Sequence, residues 1–278
     1  MGIKELENLA IQVREEIIKS LVDVGSGHPA GALGITDVLV ALYFNVLKHD
    51  PKNPFWEDRD RMVVSNGHIC PGLYAVMAYA GYFPKEELYS LRNLGSRLQG
   101  HPHRESLPGL ETTSGPLGSG LSQAIGMALA GKLDNKKYDV FCLCSDGEIQ
   151  EGNHWEAVMF AAKHKLNNLT MIIDRNNIQI DGFTEQVMPL EPLKEKYEAF
   201  NWHVLEIDGH NYQQIIDACN EAKAIFEKPV VIIAHTIPGK GIDFMEFDFE
   251  FHGKTPSPGE TVEALRELRT LQGKLEED

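Results

Sequence analysis

A doubly wound α/β fold, a parallel sheet with helices on both faces, is predicted for this 278-residue chain by three observations. Strand-like and helix-like runs alternate through the second half, the pattern of parallel βαβ units. Strand runs such as Val230-Val231-Ile232-Ile233 are apolar at every position, as expected when both sheet faces are covered. Polar punctuation falls directly after the strands: Ser145-Asp146-Gly147-Glu148, Asp174-Arg175-Asn176-Asn177, Asp208-Gly209-His210 and His235-Thr236. Ligands of such sheets bind there, outside the carboxyl ends of the strands.

The elements follow in order. Leu6, Leu9, Val13, Ile17 and Leu21 recur at helical spacing and predict a helix over 4–24. Gly and Pro punctuate 25–34, and 35–46 reads as a second helix. A short strand is expected at 61–64, with helices at 70–80 and 85–91. A long Gly-, Ser-, His- and Pro-containing stretch, 95–120, gives way to a helix at 121–133. Strands then fall at 138–144, 169–174, 203–207 and 229–236, and helices at 153–164, 192–200 and 212–226. Residues 253–260 are Pro- and Gly-containing and lead to a polar, helical tail that ends Leu275-Glu276-Glu277-Asp278.

Composition narrows the class. Hydrophobic residues at 42% and charged residues at 24% are ordinary for a globular chain, and its length suffices to bury a core without staples. No run of about 18 apolar residues offers a membrane span. The N-terminus has no signal-peptide pattern. The net charge of −15 repels nucleic-acid backbones. An anionic ligand would have to be held by backbone N–H groups, histidines or a metal. Cys70, Cys142, Cys144 and Cys219 form no C-x-x-C pair. Cys142 and Cys144 face one side of a strand and cannot pair easily, so reduced core thiols in a cytoplasmic protein are expected.

Two glycine patterns are decoys. Residues 126–132 nearly spell a phosphate loop, but Leu133 replaces the terminal Ser/Thr and no strand feeds the segment. Gly25-Ser26-Gly27 follows a helix rather than a strand. Zinc is not expected, because no ligand pair has the required spacing. Gly118-Ser119-Gly120 opens a helix N-terminus where free N–H groups could meet a ligand.

Chemistry concentrates at two strand ends. Asp146-Gly147 follows one buried strand, and Asn176, with 28 residues between it and Gly147, lies just beyond the next. On neighbouring strands, a carboxylate, an amide oxygen and a nearby carbonyl make hard ligands for Mg²⁺ or Ca²⁺. Gly147 would let a phosphate approach the backbone. Either residue alone reads more simply as a turn Asp or a capping Asn; the pairing at this spacing favours a metal.

This spacing resembles the thiamine-diphosphate (ThDP) signature, with Ser145 where glycine is usual. Further motifs are more selective: Ser26-Gly27-His28-Pro29, Asp60-Arg61 with Ser65-Asn66-Gly67-His68, Gly100-His101-Pro102, Gly115-Pro116-Leu117-Gly118, Ile180-Asp181-Gly182 and Phe251-His252-Gly253-Lys254. Together, in this order along almost the whole chain, they resemble transketolase. Departures are Ala30 where Gly is common and Ser119 where Gln is common.

The resemblance implies roles position by position. Asp146, Asn176 and the carbonyl of Ile178 would ligate Mg²⁺, for which Ca²⁺ or Mn²⁺ could substitute. Gly147, His68 and His252 would contact the diphosphate. Gly115, Leu117 and Ile180 would line the cofactor rings. Glu151, with the cofactor-site residues, and Glu156 resemble residues of the family's subunit interface. His28, His101 and His252 would surround the donor sugar as catalytic residues, since imidazoles exchange protons near neutral pH. His49, His164 and His203 read as ordinary polar residues, and His103, His154, His210 and His235 receive no role.

Residues 1–278 are expected to form one diphosphate-binding domain with a polar tail from about 255. A full transketolase adds a pyrimidine-binding domain carrying the cofactor-activating glutamate, then a C-terminal domain. Residues 255–278 are too few for another domain. The expectation is therefore the N-terminal subunit of a split transketolase, its solvated acidic tail marking a natural terminus. With a C-terminal partner chain, in an α2β2 assembly, it would pass a two-carbon ketol unit from a ketose phosphate to an aldose phosphate, as in the pentose phosphate pathway. A different sugar range within transketolase-like enzymes, such as a sulfonated or branched sugar, is left open by this half of the site, and two alternatives of other kinds stand beside it. One is the α subunit of a 2-oxo acid dehydrogenase E1, against which the set His28, His68, His101 and His252 argues. The other is a non-catalytic ThDP-binding scaffold.

Overall fold

The computed structural model describes residues 1–277. Helix α1 (Ile3–Val24) buries the expected stripe of Leu6, Leu9, Val13, Ile17 and Leu21. The punctuated stretch after it is more ordered than expected. Helix α2 (Pro29–Gly34) forms there, with Pro29 at its first position, where a fixed φ and a missing N–H cost nothing. The expected helix over 35–46 is α3 (Thr36–Ala41) running into a wider π turn, Leu42–Val46.

Strand β1 (Arg61–Val64) precedes α4 (Cys70–Ala80), and Lys85–Ser90 is 3-10 rather than α-helical. Then come α5 (Gly120–Leu133), β2 (Val140–Ser145), α6 (Gly152–Lys163) and β3 (Leu169–Arg175). A hairpin of β4 (Ile178–Gln179) and β5 (Gly182–Phe183), not expected from the sequence pattern, follows with the short α7 (Thr184–Val187). The chain continues through α8 (Leu193–Ala199), β6 (His203–Asp208), α9 (Tyr212–Ala224), β7 (Val230–His235) and α10 (Pro258–Glu277).

The main sheet is wholly parallel, in the order β1-β2-β3-β7-β6. Alternate residues feed two cores. Phe141, Leu143, Ile172, Val230 and Ile232 pack under α1, α3, α4 and α9. Val140, Cys142, Met171, Ile173, Val231 and Ile233 pack under α5, α6 and α8. This two-sided burial is why the strands read as continuous apolar runs. All four cysteines are free and buried; Cys142 and Cys144 lie on one face, as expected, with their sulfurs 3.8 Å apart. No helix of the described residues is long and apolar enough to cross a membrane.

A buried ion pair ties the layers on the α1 side. Arg14 donates to both oxygens of Asp37, at 3.1 and 2.6 Å, and to the carbonyl of Leu33. His210 completes it: its Nε2 accepts the Ile237 N–H at 2.8 Å, so Nδ1 donates to Asp37 at 2.7 Å. Burial alone would raise the Asp37 carboxyl, but Arg14 and His210 override it and hold the group near 2.

The polar tail is solvated on one face only. Helix α10 lies on α1, with Ala264 and Leu268 fully buried. Of its acidic end, Asp278 lies outside the described residues. Leu268→Ala should therefore cost about 2–5 kcal/mol in urea denaturation, the usual toll of emptying a packed leucine site. A loss below about 0.5 kcal/mol, typical of a surface change, would mean that α10 is not docked.

Candidate active site

The register of β2 and β3 decides the site. Ser145 pairs with Asp174, so Asp146 and Asn176 emerge side by side at the carboxyl edge. Asp146 has no exposure. Its Oδ1 accepts the Gly147 N–H at 2.7 Å, and its Oδ2 accepts the Asn177 N–H at 2.6 Å and Arg175 Nη1 at 3.0 Å. Asn176 donates from Nδ2 to Asp174 at 3.0 Å, which fixes its other end as oxygen; that Oδ1 accepts the Ile178 N–H at 3.0 Å. The sharp return at Asn177, with φ 66°, brings the β4–β5 hairpin over the strand ends.

This corner fits a divalent cation. It offers a carboxylate, an amide oxygen and a peptide carbonyl, all hard donors. Two buried carboxylates share it with one guanidinium close by. Burial pushes Asp146 up to about 6, partly offset by Arg175 and the two N–H donors. Burial likewise pushes Asp174 up to about 7. Both shifts report negative charge short of compensation. Gly147 is needed for the geometry: a Cβ there would stand 2.9 Å from Cβ of Gln179 and 3.8 Å from the Ile178 carbonyl oxygen. Among the described residues, no group of three or more His, Cys, Asp or Glu side chains suits a metal, so this mixed oxygen set stands apart.

Above the corner lies a cleft of ≈ 290 Å³. His28, His68, His101, Gly115, Leu117, Gly147, Glu151, Asn176, Ile178, Ile180 and His252 line it, and Asp146 is buried beneath its floor. The sequence-predicted residues are thus brought together; only Glu156 lies away from the cleft wall. Glu151 and Ile180 stand at the rim, Ile180 being 71% exposed.

Four imidazoles form one wall. His28 caps α2, His68 sits in the turn after β1, His101 comes from the loop before α5, and His252 ends the turn Phe249–His252. The ring of His28 lies 5.4 Å from His68, 6.0 Å from His101 and 5.5 Å from His252. Burial is the main cause that lowers all four; neighbouring imidazoles add to it at His28 and His68, and Arg92 at His101. His28 is lowered to about 4, His68 well below its ordinary value, and His101 and His252 in the same direction.

The structure adds residues to which the sequence assigns no role. Glu148, buried in the cleft floor, accepts the Gly118 N–H at 2.7 Å, the Ser145 N–H at 3.2 Å and a short bond from Ser65 Oγ. Ser65 in turn accepts the Gly120 N–H at 2.9 Å. These bonds clamp the start of α5 to the ends of β1 and β2. Arg175 binds Asp146, Thr184, Glu185 and Glu191 at 2.8–3.0 Å, fixing the segment after the hairpin. Asp174 orients Asn176. All three lie inside the strand-end punctuation, but Ser65 and Gly118 reach Glu148, and Asp146 reaches Arg175, from far along the chain. Of the remaining histidines, His49 bonds to Tyr43 and Tyr82, His154 through Nε2 to Tyr197, and His210 to Asp37.

Known proteins share both this sequence pattern and this geometry. The family model described as "Transketolase, thiamine diphosphate binding domain" matches residues 7–272. A 6-deoxy-6-sulfo-D-fructose transketolase subunit of Clostridium sp. (strain MSTE9) is 44% identical, covering 89% of this chain and 90% of its own length. One of the apulose-4-phosphate transketolase subunits, from Phocaeicola vulgatus, is 38% identical over 100% of this chain and 99% of its own. Transketolase of Campylobacter jejuni superposes with TM-score 0.87 at 32% identity, covering 100% of this chain and 48% of that one. The Leishmania mexicana enzyme gives 0.85 at 30%, covering 100% and 46%. The chain thus spans about half the length of the solved transketolases it matches.

The depressed histidines set a pH signature. An unfolded His28 takes up its proton near 6.5, the folded one only near 4. The unfolded state therefore binds more protons in that window, and stability falls as pH drops from about 6.5 to about 4. His28→Asn should flatten that slope in denaturation curves. A His28 imidazole NMR signal that titrates at its ordinary value would refute the burial argument.

Proposed function

This chain belongs to the transketolase family, and from that premise we propose that it is the ThDP-binding subunit of a two-chain transketolase. Completed by a C-terminal partner that carries the pyrimidine-binding domain, it transfers a two-carbon ketol unit from a ketose to an aldose phosphate. The observation that carries this is the convergence of Asp146, Asn176 and the Ile178 carbonyl under a wall of four neutral histidines. Relatives of nearly equal length are named as subunits, which supports a partner chain, and the assembly proposed with it is α2β2. Residues 1–278 act as one diphosphate-binding domain. The four free, buried thiols are in keeping with the cytoplasm.

Asp146, Asn176 and Ile178 would hold Mg²⁺, and through it the diphosphate. The Gly147 backbone, His68 and His252 face the same anion. Gly115, Leu117 and Ile180 pack the rings, with Glu151 at the rim. When bound, ThDP supplies a thiazolium that stabilises a carbanion beside a carbonyl carbon. His28, His101 and His252, neutral at pH 7, can accept a sugar hydroxyl proton without first losing one. The sugars are ketoses ending in phosphate or sulfonate, as the relatives' names suggest; the pentose phosphate pathway is one setting for them. An E1-type α subunit finds no support among these relatives, and an intact histidine wall speaks against a scaffold.

Three measurements test this. Asp146→Asn, similar in shape, should weaken Mg²⁺-dependent ThDP binding by at least about 10²-fold in calorimetry, in line with losing a ligand. Unchanged affinity in a folded variant would put the metal elsewhere. The chain alone, given Mg²⁺, ThDP and sugar phosphates, should show negligible turnover; brisk activity would end the two-chain reading. His28→Ala should keep cofactor affinity while kcat/KM of the partner-completed enzyme drops by about 10²-fold or more. An unchanged kcat/KM would remove His28 from the sugar site.

A further inference from the structure

The roles assigned above leave a second cleft unused. It measures ≈ 750 Å³ and lies between the loop around 92–103 and Thr113-Ser114. His101 lines both this cleft and the cofactor cleft, so the two adjoin at the histidine wall. Its cation is Arg92.

Three features separate Arg92 from an ordinary surface arginine. First, no carboxylate of the described residues neutralises it; its side-chain bond is from Nη1 to Ser26 Oγ at 2.8 Å. Arg97 in the same loop, by contrast, is doubly bonded to Glu87 at 2.8 and 2.7 Å. Second, the side chain is held. Gly100 has no Cβ because one would stand 2.4 Å from Arg92 Nε and 2.8 Å from Nη2. Third, the backbone is strained to present it. Arg92 has φ 60°, uncommon for a residue with a Cβ, and its N–H is tied to the Leu98 carbonyl at 2.8 Å. An unneutralised guanidinium anchored by Ser26 and closely packed on Gly100, in a chain of net charge −15, is suited to an oxyanion.

We propose that Arg92 binds the terminal oxyanion, phosphate or sulfonate, of a sugar whose reacting carbons face His28 and His101. This rests on the transketolase reading and sharpens it. Most groups that hold the sugar's anion are expected on the partner chain; Arg92 gives this chain its own share in choosing substrates. The polar side chains of Asn93, Ser96 and Thr113 line the same cleft and could hydrogen-bond the remaining oxygens.

The test uses the chain loaded with Mg²⁺ and ThDP, with the His101 imidazole followed by NMR. Three ketoses of one skeleton are titrated: fructose, fructose 6-phosphate and 6-deoxy-6-sulfo-D-fructose. The anionic sugars should bind at least about tenfold tighter than fructose, the scale of one charge-assisted contact. The phosphate and sulfonate arms show which oxyanion is preferred. Arg92→Gln should erase the advantage of the anionic sugars, and Arg92→Lys should restore part of it. Equal binding of the three sugars to the native chain, or an undiminished preference in a folded Arg92→Gln variant, would overturn the proposal. Calorimetry of ThDP on the same samples reports separately on the transketolase reading: its failure there leaves the Arg92 comparison intact.

Discussion

Asp146 keeps a carboxylate wholly out of water, and everything around the cleft is arranged to permit it. A buried charge is tolerated only where donors converge. Here they come from both flanking strands: the Gly147 N–H beyond β2, and the Asn177 N–H and Arg175 at the end of β3. The β2–β3 register, the turn at Asn177 and the hairpin that covers the edge are therefore one arrangement. Arg175 extends it outward by pairing with Glu185 and Glu191, which positions the chain beyond α7. The corner so built offers hard oxygen donors of the kind a divalent cation takes.

The site also uses opposite electrostatic strategies a few ångströms apart. At the strand ends, burial leaves carboxylates wanting positive charge. On the histidine wall, burial and crowding of like groups keep imidazoles uncharged. A chain of strongly negative balance thus presents a neutral, proton-accepting surface above an electronegative floor. Neither property follows from net charge, which says only what the surface repels at long range.

Much of this is legible in the sequence. Continuous apolar strands and the punctuation after them point to the sheet and the edge that carries the site. Asp146 and Asn176 stand out because residues at the ends of neighbouring parallel strands keep a characteristic spacing. The histidines stand out through motifs rather than periodicity. What stays hidden depends on contacts between distant residues. Glu148 looks like any turn glutamate until Ser65 and Gly118 are brought to it from 83 and 30 residues away. Helix α2 is obscured because glycine and proline usually break helices, yet Pro29 sits where proline is favoured. The tail looks solvated because its apolar stripe is sparse, and nothing local says that α1 lies beneath it.

That last packing has a consequence for how the protein is made. Helix α10 buries Ala264 and Leu268 beside α1, and Arg269 reaches Glu15 at 3.5 Å. A cover contributed by residues more than 230 positions downstream cannot be in place until those residues have themselves been synthesised. During translation, the flank of α1 that α10 will cover must stay exposed or be shielded by something else. Contacts of such wide separation also close late, because the loop entropy must be spent before they form. The newborn chain therefore passes through a sticky stage, which ends only once α10 has emerged and docked.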